Sequence, residues 1–263
     1  MVTAIGGGVR AQLTMRVAGG ANGAPTPGYA TCGRRAVSAN GRWLAFGGCV
    51  GGTAATNYDC ISIRDLLRGD TTLASRSVSG SIAPAWGATI SDDGRYVAFQ
   101  SDASDLVVGD TNLTSDMFVY DRVLDNVTRV SVDSGGNESI GGGFRGVISG
   151  DGSAVAFWSY AADLVPNDTN FDRDVFVHDL TTGQTTRATL NTNGQESYAG
   201  CAYFTCRETF GLDISGDGRF VAFASDQGTL VAGDSNGAED IFVRDRVAGT
   251  TVMASVFTGG AIG

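Results

Sequence analysis

Lysine is absent from this 263-residue chain, and all 18 of its basic residues are arginine. That absence excludes Schiff-base chemistry, the phosphate-binding lysine of nucleotide loops and a Ser–Lys nucleophile pair. Histidine occurs once, at position 178, so a multi-histidine metal centre is excluded as well. Glutamate stands only at 138, 196, 208 and 239, which leaves 24 of the 28 acids as aspartate; proline occurs four times. No apolar run reaches the length that spans a bilayer, and the first residues carry neither the basic region nor the apolar core of a secretory signal. A net charge of −10 argues against nucleic acid or an anionic membrane as a partner.

What the chain does have is glycine, 39 residues, in a sequence that is 42% hydrophobic with a mean hydropathy of +0.02. That apolar content supports a packed core. Glycine and aspartate favour turns, whereas the scarce glutamate and absent lysine are helix formers. The composition predicts an all-β protein rich in tight turns, with no helix. Five cysteines stand at 32, 49, 60, 201 and 206. Cys49–Cys60 and Cys201–Cys206 each bracket a short loop and are paired in the preferred reading, with Cys32 left over. Such bridges imply an oxidising, extracellular or periplasmic compartment; buried reduced thiols are the alternative.

Self-comparison exposes a repeat. One pattern recurs as Val37-Ser-Ala-Asn-Gly-Arg-Trp-Leu-Ala-Phe46, Ile90-Ser-Asp-Asp-Gly-Arg-Tyr-Val-Ala-Phe99, Ile148-Ser-Gly-Asp-Gly-Ser-Ala-Val-Ala-Phe157 and Ile214-Ser-Gly-Asp-Gly-Arg-Phe-Val-Ala-Phe223. Its glycines at 41, 94, 152 and 218 are spaced by 53, 58 and 66 residues. Each copy is followed by a second segment (61–65, 117–121, 175–179, 241–245) and a third (71–75, 128–132, 186–190, 251–255). Asn-Gly or Asp-Gly between β-branched and aromatic residues is a hairpin signal. Four strands per repeat are expected, in the second repeat near Trp86–Ile90, Tyr96–Ser101, Met117–Asp121 and Thr128–Val132. Tandem four-stranded antiparallel units of this length read as the blades of a β-propeller.

The Ser-x-Asp-Gly-Arg-x-x-Ala-Phe hairpin, the Asp-x-Phe-Val-x-Asp segment and the Thr-Arg strand together resemble the TolB-like β-propeller repeat family, from about residue 30 to the end. The resemblance implies the fold. It leaves function open, because propellers of this kind serve as binding platforms, as regulatory domains of peptidases and as some carbohydrate enzymes. The expected organisation is one propeller domain, or a fragment of one, over 1–263. Its repeats lie near 30–80, 84–135, 144–192 and 210–258, giving four full repeats plus a surplus N-terminal strand at 12–17 within a linker of residues 1–29. A piece of a larger propeller, a small ring and an oligomer joined by strand exchange all accommodate that extra strand.

The loop before the third strand of a repeat carries the candidate chemistry. It presents Asp110, Asn112 and Asp116 in the second repeat, Asp168, Asn170, Asp172 and Asp174 in the third, and Asp234, Asn236 and Asp240 in the fourth. Oxygen ligands at alternate positions suit calcium, the expected cofactor; Asx turns at strand ends are the competing reading. Asp65, Asp121, Asp179 and Asp245 recur in every repeat, which points to bonding of turn amides rather than catalysis. His178 reads as a surface or inter-blade residue. Trp86 and the aromatics Tyr198, Tyr203 and Phe204 offer a contact surface for a protein or a glycan. No catalytic set stands out. The expected function is a non-catalytic extracytoplasmic propeller module for protein interaction, or for self-association through strand edges, stabilised by calcium. The rival is a polysaccharide-acting hydrolase or lyase using Asp/Glu at one end of the propeller channel.

Overall fold

The computed structural model describes residues 35–49, 60–170, 172–197, 211–234 and 238–255. Among them there is no helix, and fifteen strands form four antiparallel sheets. The first blade contains β1 (Trp43–Gly47), β2 (Ile61–Asp65) and β3 (Thr71–Leu73). A bridge between Val37 and Leu44 marks the inner side of β1. The second blade contains β4 (Trp86–Ile90), β5 (Tyr96–Ser101), β6 (Asp116–Asp121) and β7 (Asn126–Arg129). The third runs through β8 (Phe144–Ile148), β9 (Ala154–Ser159), β10 (Asp174–Asp179) and β11 (Thr185–Arg187). The fourth runs through β12 (Leu212–Ile214), β13 (Phe220–Ser225), β14 (Asp240–Asp245) and β15 (Thr250–Met253). Strands neighbour one another in chain order within each sheet, so these are four propeller blades. The candidate surplus strand at 12–17 lies outside the described residues.

The outermost strands end earlier than the sequence predicts: 73, 129, 187 and 253 rather than 75, 132, 190 and 255. Hydroxyls at their ends take over from the ladder. Ser75, Ser131, Thr189 and Ser255 accept the amides of Ile61, Met117, Val175 and Ile241 on the neighbouring strand.

The repeated hairpin explains the register. In the second blade the Ser91 hydroxyl donates to Asp93 at 2.6 Å and accepts the Tyr96 amide at 3.0 Å, while the Gly94 amide donates to the Ser91 carbonyl. Gly94 holds φ +73°, a left-handed conformation that disfavours a Cβ. The other three hairpins repeat this arrangement around Ser38, Ser149 and Ser215. Backbone bonds then link successive hairpins, from Ala39 N–H to Asp92 C=O, Asp92 N–H to Gly150 C=O and Asp151 N–H to Gly216 C=O.

Three apolar cores hold the blades together, with alternate strand residues facing each neighbour. The first spans blades one and two around Ile63, Ile90 and Phe99; the next joins two and three around Met117, Ile148 and Phe157. The last joins three and four around Trp158, Ile214 and Phe242. Directly opposed phenylalanines, Phe99–Phe118, Phe157–Phe176 and Phe223–Phe242, recur with centroids 5.9, 6.1 and 5.9 Å apart. Arg35, just before the first blade, donates to the Ile148 carbonyl at 3.0 Å and lies 4.0 Å from Asp213 of the fourth.

Candidate functional site: carboxylates gathered on buried arginines

The Asp-x-Asn loops do collect oxygen atoms, but around a guanidinium. In the second blade Asp110, Asp116 and Glu138 offer oxygens within 4.8 Å of one another. Arg129, from the end of β7, places its Nη1 at 3.4 Å from Asp110, 3.7 Å from Asp116 and 2.5 Å from Glu138. The third blade repeats the arrangement: Arg187 Nη1 lies 2.9 Å from Asp168, 3.2 Å from Asp174 and 3.2 Å from Glu196. Asn112 donates to Asp116 and to the Ser139 carbonyl, and Asn170 donates to Asp174 and to the Ser197 carbonyl. Each asparagine thereby ties its loop to the link that leads into the next blade. Asp172 is used locally, accepting the Arg173 amide at 2.8 Å. In these two blades the centre expected to hold calcium is filled by a fixed positive charge.

Burial shapes the titration of these groups. It pushes Asp174 up to about 6 and outweighs the Thr189 hydroxyl and Arg187, which favour the ionised form. Asp116, Asp110 and Asp168 move up for the same reason. Glu138 and Glu196 go the other way. Burial opposes ionisation there too, but the Thr111 or Thr169 hydroxyl and amide, together with the arginine, hold each at about 2. Three carboxylates against one arginine leave an excess of negative charge, and desolvation concentrates the strain of it on the innermost aspartate.

The first and fourth blades depart from the pattern. The residue opposite the buried phenylalanine on the outermost strand is Arg129 or Arg187 in the middle blades, but Met253 faces Phe242 in the fourth. The first blade has Leu73 facing Ser62, and Cys60 stands where the middle blades have Asp116 and Asp174. Asp240 of the fourth blade accepts the Ser255 hydroxyl at 2.5 Å. Asn236 lies outside the described residues.

The recurrent strand-end aspartates do bond turn amides. Asp65 accepts from Leu67 and Arg68, Asp121 from Val123 and Leu124, Asp179 from Thr181 and Thr182, and Asp245 from Val247 and Ala248. Three of them also hold the hairpin arginine, at 2.7, 2.7 and 2.6 Å for Arg42–Asp65, Arg95–Asp121 and Arg219–Asp245. His178 is buried between blades two and three. Its Nδ1 meets the Thr185 hydroxyl at 2.9 Å, and that hydroxyl donates to the Val132 carbonyl. Desolvation lowers its pKa. Trp86 opens β4 half-buried, opposite Gln100. Tyr198, Tyr203, Phe204, Cys201, Cys206 and Cys32 lie outside the described residues. Cys49 and Cys60 are disulfide-bonded, with Cα atoms 5.3 Å apart.

Glu138 and Glu196 complete the two clusters although neither belongs to an Asp-x-Asn loop. They sit on the inter-blade links, 28 and 28 residues after Asp110 and Asp168. Their mark in the sequence is that two of only four glutamates fall at matching positions of consecutive repeats.

An exposed apolar surface lies beside the second-blade cluster. Leu113, 89% exposed at φ +58°, and Ile140, 78% exposed, stand on loops pinned together by the Asn112–Ser139 bond. Ile140 N–H donates to Asp163 at 2.9 Å, which brings the loop bearing exposed Tyr160 alongside.

No protein-family model matches this chain, and no curated protein matches it. Among solved structures it is similar to TolB from Acinetobacter baumannii, at 16% identity and a TM-score of 0.49, over 86% of this chain and 43% of that one. It is similar to a putative TolB from Agrobacterium tumefaciens at 21% identity and a TM-score of 0.39, over 61% of this chain and 48% of that one. A third similarity is to the Cps50 (Swd1) β-propeller domain of Myceliophteria thermophila, at 12% identity and a TM-score of 0.43, over 89% and 59%. The chain spans less than half the length of the two TolB structures. These are likenesses of fold only; the chain's own strands establish a β-propeller arrangement of four blades that each carry the repeat.

Proposed function

We propose that the chain is a non-catalytic propeller module that binds a protein partner outside the cytoplasm. The observation that carries this reading is the apolar surface around Leu113, Ile140 and Tyr160. A leucine held at positive φ costs about 1 kcal/mol or more, and here the strained backbone presents the side chain to water. Large apolar side chains exposed together on pinned loops are what a partner covers. The Cys49–Cys60 disulfide supports an oxidising compartment.

Self-association is one form this binding takes. Light scattering over a rising concentration series, with wild type beside a Leu113→Asp/Ile140→Asp variant, tests it directly. Association abolished by the double variant supports self-assembly. A monomer that crosslinks to a protein of the secreted or periplasmic fraction, and loses that crosslink in the double variant, supports a different partner. The absence of both behaviours would sink the proposal, as would carbohydrate turnover abolished by Asp→Asn changes in the Asp-x-Asn loops. Calcium remains a proposal too. Since Arg129 and Arg187 fill the centres in the middle blades, calcium dependence would rest on the fourth-blade loop. An unchanged melting temperature in excess chelator would remove it.

A further inference from the structure

The repeat does the same structural job in each blade, so the places where one inter-blade groove departs from it are informative. Two departures meet in the groove between blades three and four. The first is at the third-strand position two residues beyond the buried phenylalanine. There Tyr120 bonds Asp125, itself paired with Arg76 at 2.8 Å, and His178 is held beside a threonine hydroxyl. The first and fourth blades place an arginine there: Arg64 is partly exposed and bonds the Thr71 hydroxyl, whereas Arg244 is 7% exposed, with no carboxylate at ion-pair distance among the described residues. Its Nη1 donates to the carbonyls of Leu190 and Asn191 and to the Thr251 hydroxyl.

The second departure is one turn further on. Arg122 of the second blade donates to the Gly94 carbonyl and lies 3.6 Å over the Trp43 ring. Its counterpart Arg246 donates to the Gly218 carbonyl at 2.7 Å, but the residue in the place of Trp43 is Ala154. No ring stands at that place, and among the described residues Arg246 Nε is buried without a hydrogen-bond partner. Burial lowers the pKa of both arginines, so their charges are held against a desolvation penalty. Both line a cavity of about 730 Å³ whose apolar wall includes Val165, Pro166 and Leu190. Glu196 also lines it, but its carboxylate is engaged by Thr169 and Arg187. Asp179 and Asp245 act on Arg246 and Arg244 only from beyond ion-pair distance, so among the described residues neither guanidinium is directly paired, and both are open to an anion from outside.

We propose that this groove binds the oxyanion of a small ligand, a carboxylate or a phosphate, through Arg244 and Arg246, with the ligand's apolar body against Val165, Pro166 and Leu190. The site is separate from the Leu113 surface and stands whether or not that surface has a partner. Calorimetric titration of the full chain with sodium hexanoate and with inorganic phosphate, at constant ionic strength, distinguishes the two sources of the anion. The expected result is saturable binding of one of them, weakened about tenfold or more in Arg246→Gln by loss of a charge-assisted bond. Arg122→Gln, at the matching place in the second blade, leaves that affinity unchanged. Arg244→Gln weakens binding as well, and melting curves recorded alongside confirm that each variant is folded. No saturable binding of either anion, or an equal loss in Arg122→Gln and Arg246→Gln, overturns the proposal.

Discussion

Replacing Arg187 with methionine, the residue the fourth blade uses at this place, tests whether the third-blade cluster is held by its guanidinium. The substitution leaves Asp168 and Asp174 buried and Glu196 largely so, with no cation among them. Breaking a buried ion pair from one side costs about 3–5 kcal/mol, a large share of the roughly 5–15 kcal/mol that stabilises a typical domain. At about 2–4 °C per kcal/mol for a chain of this size, the melting temperature should fall by roughly 10 °C. The loss must also depend on pH. Asp174 is already raised to about 6 from 3.8 with the arginine present, and removing the arginine raises it further. A carboxyl whose folded pKa exceeds its unfolded value contributes stability below the unfolded value and loses it as pH rises through the folded one. The deficit of Arg187→Met relative to wild type is therefore larger at pH 8 than at pH 5. Urea denaturation at the two pH values measures it, with exposed Arg68→Met as a control expected within about 0.5 kcal/mol of wild type. A deficit under about 1 kcal/mol at pH 8, or one that does not shrink at pH 5, would refute the assignment of Arg187 as the charge that holds this cluster.

Three further outcomes are expected. Gly94→Ala forces a left-handed φ on alanine and drives its Cβ into the Trp43 ring, so thermal denaturation should show a loss of about 2 kcal/mol or more; Gly183→Ala, at the same φ of +73° with nothing within 4 Å, should lose only about 1 kcal/mol. Glu138 and Glu196, held at about 2 against an ordinary 4.5, contribute stability above pH 4.5 that is lost as pH falls toward 2, while His178, lowered by burial, makes the native state lose ground once the unfolded chain protonates below about 6.5; comparing wild type with Thr111→Val in the first window and with His178→Gln in the second, by equilibrium denaturation, separates the two. Reducing the Cys49–Cys60 bridge, which closes a loop of 11 residues' separation, should cost about 3 kcal/mol, read as a drop in denaturation midpoint under reductant.

The blades were legible because their signals are local. Asn-Gly and Asp-Gly at 41, 94, 152 and 218 need positive φ, and the alternation around Phe99 or Phe157 sets which residues face a neighbouring blade. The outer-strand ends were misplaced because Ser75, Ser131, Thr189 and Ser255 suit a strand by composition but spend their hydroxyls on the adjacent strand's amides. The candidate site was half legible. The loop spacing marks Asp110, Asn112 and Asp116 as oxygen donors, and likewise Asp168, Asn170 and Asp174. The arginine at their centre belongs in sequence to a Thr-Arg strand, and the glutamate stands on the following link. Spacing within one loop carries no information about a charge that arrives from the outermost strand. The contrast between blades does: Arg129 and Arg187 occur in the two repeats whose following links carry Glu138 and Glu196, while Leu73 and Met253 occupy the other two repeats.

The hairpins that bond from Ala39 to Asp92, Asp92 to Gly150 and Asp151 to Gly216 use only main-chain atoms. At the hairpins, neighbouring blades therefore meet through backbone that any residue supplies, and the side-chain contacts between them are left to the apolar cores and grooves. The repeat spacing drifts from 53 to 66 residues without disturbing this contact, because the extra length is taken up in loops and links away from the hairpins. Such a chain can lengthen, shorten or recolour its links in evolution while its blades stay in step, so new binding character accumulates there first.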